Sequence, residues 1–133
     1  MATRILALAA LGALALRIHS WAPSDQTARF SPVSDEASLD EWFATSRERP
    51  VILFLHDPGC PISGRAYRQM STINGEIPLV DVRRNHALSR AIEARTGIRH
   101  ESPQVIVLDQ GQPIWSASHY AITADAVEDA LPE

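Results

Sequence analysis

The stretch VILFLHD, bounded by Pro50 and Pro58, carries an unbroken apolar run from Val51 to Leu55. A run that does not alternate is buried on both faces, so it predicts a central strand. Before it, SDEASLDEWFATSRERP sets Leu39, Trp42 and Phe43 on one helical face. Ser34 or Ser38 is the expected cap of that helix and Pro50 its expected end. After the strand, PISGRAYRQMSTI predicts a helix starting at Pro61, the favoured first helical position. IPLVDVR follows as a second strand. HALSRAIEARTG is a further helix, with Leu88 and Ile92 on its apolar side and Gly97 closing it. PQVIVLD reads as a third strand, and a turn through Gln110 and Gly111 leads into GQPIWSAS as its hairpin partner. TADAVEDAL is the last helix, capped by Thr123.

The order is therefore helix, strand, helix, strand, helix, strand, strand, helix. A right-handed βαβ unit, then a helix, a β-hairpin and a closing helix, is the thioredoxin-like pattern. The expectation is an α/β domain over residues 31–133, with a four-stranded mixed sheet flanked by helices. No internal repeat or low-complexity stretch interrupts it.

Residues 1–30 read as a separate N-terminal extension. In MATRILALAALGALAL the twelve residues from Ile5 to Leu16 are all apolar or Gly, between Arg4 and Arg17. This resembles the n-region and h-region of a signal peptide. It is too short for a comfortable transmembrane helix. SWA before Pro23 is the nearest small-x-small cleavage pattern, and a poor one, because Pro23 would follow the cut. Three readings stay open: export or anchoring through residues 4–17, an extension without a targeting role on a cytosolic protein, and an amphipathic helix packed on the domain.

Composition narrows the chemistry. A chain of 133 residues suits one domain with its own core, without metal or disulfide staples. All 12 basic residues are Arg, which excludes a Lys nucleophile or Schiff base. The formal charge is −4, and residues 31–133 carry 9 Arg against 15 acidic residues. An acidic domain is a poor match for DNA or RNA. Cys60 is the only cysteine, so any disulfide it forms joins another molecule.

Cys60 falls at the junction of the first central strand and the helix starting at Pro61. Free backbone N–H groups and the positive end of the helix dipole favour its thiolate there. Attack gains little from this, since nucleophilicity falls along with basicity at a Brønsted slope of about 0.4–0.5. The larger gain comes when this sulfur leaves a mixed disulfide, which suits a thiol that accepts an adduct and then surrenders it. Ser63 stands where the second Cys of a Cys-x-x-Cys pair would be. It is either a donor to the thiolate or simply a good first-turn residue, and it cannot resolve a disulfide. In a thioredoxin-like fold, Ser102-Pro103, just before the third strand, is where a cis X–Pro bond faces the nucleophile, with the backbone of Ser102 offered to a client chain; an ordinary strand-start proline is the alternative. Arg99, His100 and Glu101 form the expected rim. The alternative for Cys60 is a buried structural cysteine.

The other candidates have plainer readings. His56 is read as a packed strand histidine, with tuning of the thiolate as the alternative. His100 and His119 are read as surface residues, and Tyr67 and Trp115 as packing residues. Arg65 and Arg68 belong to a solvated helix face, with contact to an anionic thiol as the alternative. A tyrosine-phosphatase loop fails on spacing, because Ala66 stands where its Arg is needed. A peroxiredoxin fails because Asp57 and Leu53 occupy the places of its Thr and Pro. His56 and Cys60 lack further ligands for a metal site. An iron–sulfur role of the monothiol-glutaredoxin type wants Gly where Pro61 stands.

HDPGCPIS, RHESPQV and SASHYAIT, in that order, resemble the monothiol bacilliredoxins, the YtxJ-like proteins of the bacillithiol system, from about Ser38 to Leu131. The resemblance implies a thioredoxin-like fold, a cytoplasmic setting and removal of bacillithiol from protein mixed disulfides. Cys60 matches the attacking cysteine. Ser63 would help hold the thiolate, while Pro61, Ile62, Ser102 and Pro103 would contact the client. Bacillithiol would be a thiol co-substrate, with no bound cofactor and no metal. Partners would be bacillithiolated client proteins, plus a low-molecular-weight thiol or a disulfide reductase to regenerate Cys60. A membrane would be involved only if the N-terminal segment anchors the chain. Pro58-Gly59 departs from the more usual small polar and basic pair before the Cys. The rival readings are a redox-inactive thioredoxin-like binding module and an envelope-located exchange protein.

Overall fold

The computed structural model describes residues 28–133. The apolar run from Ile5 to Leu16, and with it the question of export or anchoring, lies outside the described residues. Among the described residues no helix is long and apolar enough to cross a membrane.

The chain runs β1 (Arg29–Pro32), α1 (Glu36–Thr45), β2 (Val51–His56), α2 (Pro61–Ser71), β3 (Glu76–Asp81), α3 (His86–Thr96), β4 (Gln104–Asp109), β5 (Gln112–Ser118), a 3₁₀ turn (His119–Ala121) and α4 (Ala124–Ala130). The sheet order is β1-β3-β2-β4-β5. β3 is parallel to both β1 and β2, whereas β4 is antiparallel to β2 and β5. The sheet therefore has five strands rather than four. β1 is the addition, and it uses Arg29 and Phe30, residues expected to belong to the extension. RFSP carries one large apolar side chain and lies on a sheet edge, so it has no periodic pattern to announce it.

β2 is central, as its apolar run demands. Side chains of a strand alternate between faces. Val51, Leu53 and Leu55 join Leu39 and Phe43 of α1 and Leu88 and Ile92 of α3 in one buried cluster. Ile52 and Phe54 join Ala66 and Met70 of α2 and Val127 of α4 in the other. His56 continues the second set and so points to the α2 face. Trp115 packs against that cluster, as expected of a packing residue. Tyr67 is 38% exposed but is not idle. Its ring lies 4.5 Å from Phe30 and 5.1 Å from His56, and Phe54 lies 5.3 Å from His56. β1 thus closes an aromatic group over the end of the β2 strand.

The caps differ in part from expectation. Asp35, not Ser34 or Ser38, caps α1. Its carboxylate accepts the Ser38 N–H at 2.8 Å, and the Ser38 hydroxyl reaches back to the Asp35 backbone, a reciprocal capping box. α1 ends at Thr45, well before Pro50, and the buried Ser46 closes it by donating to Phe43 O at 2.6 Å. Ser46 also accepts from Gln110 N and Gly111 N, which ties the β4–β5 turn to α1. That turn takes left-handed φ values at Gln110 (53°) and Gly111 (76°), the pattern of a two-residue hairpin. Gly97 closes α3 at φ 71°, and Thr123 caps α4 through the Ala126 N–H, both as the pattern predicts.

Phe54→Ala is expected to cost about 3–5 kcal/mol, since a fully buried ring is lost from the centre of the sheet. Ile114→Ala, at an exposed position, should stay within about 0.5 kcal/mol of wild type. Urea unfolding of both variants checks the contrast.

Candidate functional site

The site is built where β2 leaves the sheet. His56 is its last residue, Asp57 to Gly59 turn the chain, and Cys60 is the N-cap of α2. Cys60 has an extended backbone (φ −104°, ψ 125°) and is a free, partly exposed thiol. Its N–H donates to Asp57 O at 3.1 Å, and its carbonyl accepts the first helical bond from Gly64 N at 2.9 Å. Pro61 at the first helical position has no N–H to offer. The first-turn N–H groups of Ile62 and Ser63 remain at the end of the helix that Cys60 occupies. The sulfur itself makes no cap hydrogen bond.

Ser63 was expected either to serve the thiolate or to be a plain first-turn residue. It is fully buried, and its hydroxyl meets two other groups. It accepts the Asp57 N–H at 2.9 Å and lies 2.7 Å from His56 Nδ1. A serine hydroxyl has one proton to donate. If His56 carries its proton on Nε2, that serine proton goes to Nδ1. If His56 carries it on Nδ1, Ser63 accepts twice and its own proton is free. Among the described residues, no hydrogen bond joins Ser63 to Cys60. The pair His56–Ser63 therefore pins the strand end to the first turn of α2, and the turn carrying Cys60 is held between them.

Burial pushes His56 below the ordinary histidine value of 6.5, with Asp81 and Asp57 pulling the other way. His56 is thus both the packed strand histidine that was expected and a direct partner of the first turn of the helix that starts at Cys60.

The second wall comes from the loop before β4. The Ser102-Pro103 bond is cis, as expected. Pro103 is buried, and its carbonyl accepts the His119 N–H at 3.1 Å. The 3₁₀ turn that follows β5 then reaches α2: the Arg65 guanidinium donates to Tyr120 O at 3.5 Å and lies 5.4 Å from the Tyr120 ring centre. Arg65 is therefore committed to Tyr120, while Arg68 lies on the exposed face. Pro61 is exposed and Ile62 half-buried at the start of α2. Arg99 and Glu101 are exposed rim residues, and Glu101 lies 3.8 Å from His119. The buried Gln104 holds this rim by donating to Arg99 O at 3.0 Å and accepting from Glu101 N at 3.4 Å.

Two contributors were not singled out from sequence. Asp57 accepts the Gly59 N–H at 2.9 Å and lies 3.5 Å from Arg83 Nε. The Asp-Pro-Gly order is the available signal for this, since a short acidic side chain bonds its own backbone two residues on. Arg83, from the loop after β3, has no local signal.

A lone thiol at the N-cap of a helix, on a mixed sheet of this order with a cis-proline just before β4, is the arrangement of the thioredoxin-like fold. Residues 31–127 match the family described as monothiol bacilliredoxin BrxC, and the chain belongs to that family. Its single cysteine is what a monothiol mechanism requires. Solved structures agree on the fold. A putative oxidoreductase with a thioredoxin fold is 24% identical, with a TM-score of 0.68 over 76% of this chain and 92% of its own. A thioredoxin from Nicotiana alata is 11% identical, with a TM-score of 0.62 over 81% and 94%. A mutant thioredoxin from Halobacterium salinarum is 18% identical, with a TM-score of 0.60 over 77% and 88%.

His56 should titrate below 6.5 in an NMR pH series, because burial disfavours its charged form. Its folded value lies below its unfolded value, so the unfolded chain binds more protons between the two. Stability is then full above about 6.5 and falls as pH drops through the folded value. Denaturation midpoints for the wild type and His56→Gln, measured across that window, should show the slope shrinking in the variant.

Proposed function

We propose that this protein removes bacillithiol from protein mixed disulfides by monothiol exchange at Cys60. The Cys60 thiolate attacks the bacillithiol sulfur of the mixed disulfide. A new S–S bond forms between Cys60 and bacillithiol, and the old one breaks. The client sulfur leaves as a thiolate and takes a proton from solvent. No net oxidation occurs, because one disulfide replaces another. A second low-molecular-weight thiol, or a disulfide reductase, then regenerates Cys60.

The observation that carries this reading is a lone, partly exposed cysteine as the N-cap of α2 in a chain of this family. With no second thiol in the chain, the adduct waits for an outside partner. Bond formation and departure both take place at the helix N-terminus, where the first-turn N–H groups have no helical partner. Ser63 supports the turn that presents the cysteine, through His56 and the Asp57 N–H. Pro61, Ile62 and Ser102 form the surface on which the client chain lies, and the buried Pro103 backs Ser102 there. The setting is the cytosol, and the mass of the mature N terminus tests it: cleavage after the apolar run would move the same chemistry to envelope clients.

Intact mass is the direct test. The reduced protein is mixed with a bacillithiol-modified client, beside a glutathione-modified client and a Cys60→Ser variant. A bacillithiol adduct on the wild type alone, with the client released, is expected, and transfer from bacillithiol should outpace transfer from glutathione. A folded, reduced protein that takes no adduct from either client would instead be a binding module with the same fold.

A further inference from the structure

Gly59, immediately before Cys60, has no side chain, and another part of the chain fills the space above it. A Cβ built at Gly59 would overlap Nη1 of Arg83 and lie 2.9 Å from its Cζ. The guanidinium therefore rests on the backbone beside the cysteine. Asp57 holds it from one edge, with its carboxylate 3.5 Å from Nε, and the same carboxylate oxygen accepts the Gly59 N–H. An arginine has two donor edges, one through Nε and one end-on through the two Nη groups. Asp57 takes the first. The end-on fork has no hydrogen-bond partner among the described residues, and the Arg83 side chain is 64% exposed. The neighbouring cations are engaged otherwise: Arg84 pairs with Asp81 at 3.7 Å, and Arg65 with Tyr120. Burial holds His56 below its ordinary value, against the pull of Asp81 and Asp57.

We infer that Arg83 is a specificity-determining residue, which receives a carboxylate of an anionic low-molecular-weight thiol while that thiol is joined to Cys60. An end-on guanidinium fork fits a carboxylate through two parallel hydrogen bonds. It rests over residue 59, next along the chain to the cysteine that would carry the small group. The inference rests on the thiol-exchange reading of Cys60, and it assigns to the β3–α3 loop the choice between small thiols of different charge. Asp57 is a positioning residue here: it aims the guanidinium and offsets part of its charge. The mixed disulfide brings the carboxylate, and Arg83 neither gives nor takes electrons or protons.

The test uses three 2-pyridyl mixed disulfides that differ only in the small thiol: 3-mercaptopropionate, 2-mercaptoethanol and cysteamine. Cys60 attacks the aliphatic sulfur, the Cys60–thiol disulfide forms, and the pyridine thiolate leaves and is read by absorbance. Wild type should prefer the carboxylate over the ammonium compound by about fivefold, the size expected of one exposed ion pair, and high salt should weaken that preference. Arg83→Gln removes the charge. Gly59→Ala displaces it without touching Arg83, because its Cβ would stand where the guanidinium rests. Both should bring the ratio to within about twofold of one, and Arg83→Lys should restore part of it, having the charge but not the fork. A wild type that reacts with all three compounds without preference, or a preference that survives Arg83→Gln, overturns the inference and leaves the exchange reading standing. A folded wild type that reacts with none of them overturns both.

Discussion

The structure depends on the burial of β2 on both faces. Five consecutive apolar residues have no polar side to give to water, so helices must cover both surfaces of the strand. That forces α1 and α3 to one face and α2 and α4 to the other, and it forces β2 into the middle of the sheet. A buried strand has to surface somewhere, and it does so at His56–Asp57. The lone cysteine stands at the exit of one of the two most buried strands among the described residues. Its backbone inherits that segment's rigidity, while its side chain reaches solvent.

The exit is held by polar contacts in which each group does two jobs. Ser63 joins the strand end to the helix start by meeting His56 and the Asp57 N–H together. Asp57 shapes the turn through Gly59 N and aims Arg83 from another loop. Gln104 holds the rim of the opposite wall from both ends. The chain has only one thiol, so the proposed selectivity for its adduct would rest on the groups around that thiol. The groups that the fold gathers there are a guanidinium over Gly59, a helix N-terminus and a cis-proline loop. The departure at Pro58-Gly59 takes on a physical meaning in this setting, because the missing side chain is what makes room for Arg83.

Much of this was legible along the chain. The order of elements and the central place of β2 followed from one apolar run and its flanking prolines. Gly97 and Thr123 announced their helix ends through local backbone chemistry, and Pro61 its helix start. Cys60 was legible as the one thiol at a strand-to-helix junction, and Ser102-Pro103 as the proline before the third strand. Other features had competing local signals. Ser34, Asp35 and Ser38 can all cap a helix, and the path of the chain into α1 chose Asp35. β1 had too few residues for any period, and its edge position asks for only one partner strand.

The class of fold and the place of the lone thiol could be read from periodicity, helix-end preferences and residue identity, and the family from the resemblance of three short motifs in order, all of them local properties. The fifth strand, the partners of the Ser63 hydroxyl and the approach of Arg83 to Gly59 came into view only with the chain folded. Those are contacts between separate segments of the chain, made by groups that have several possible partners. Which partner is met depends on how the β3 loop and the start of α2 are brought together by the packing of β2 and β3, and no local pattern encodes that distance.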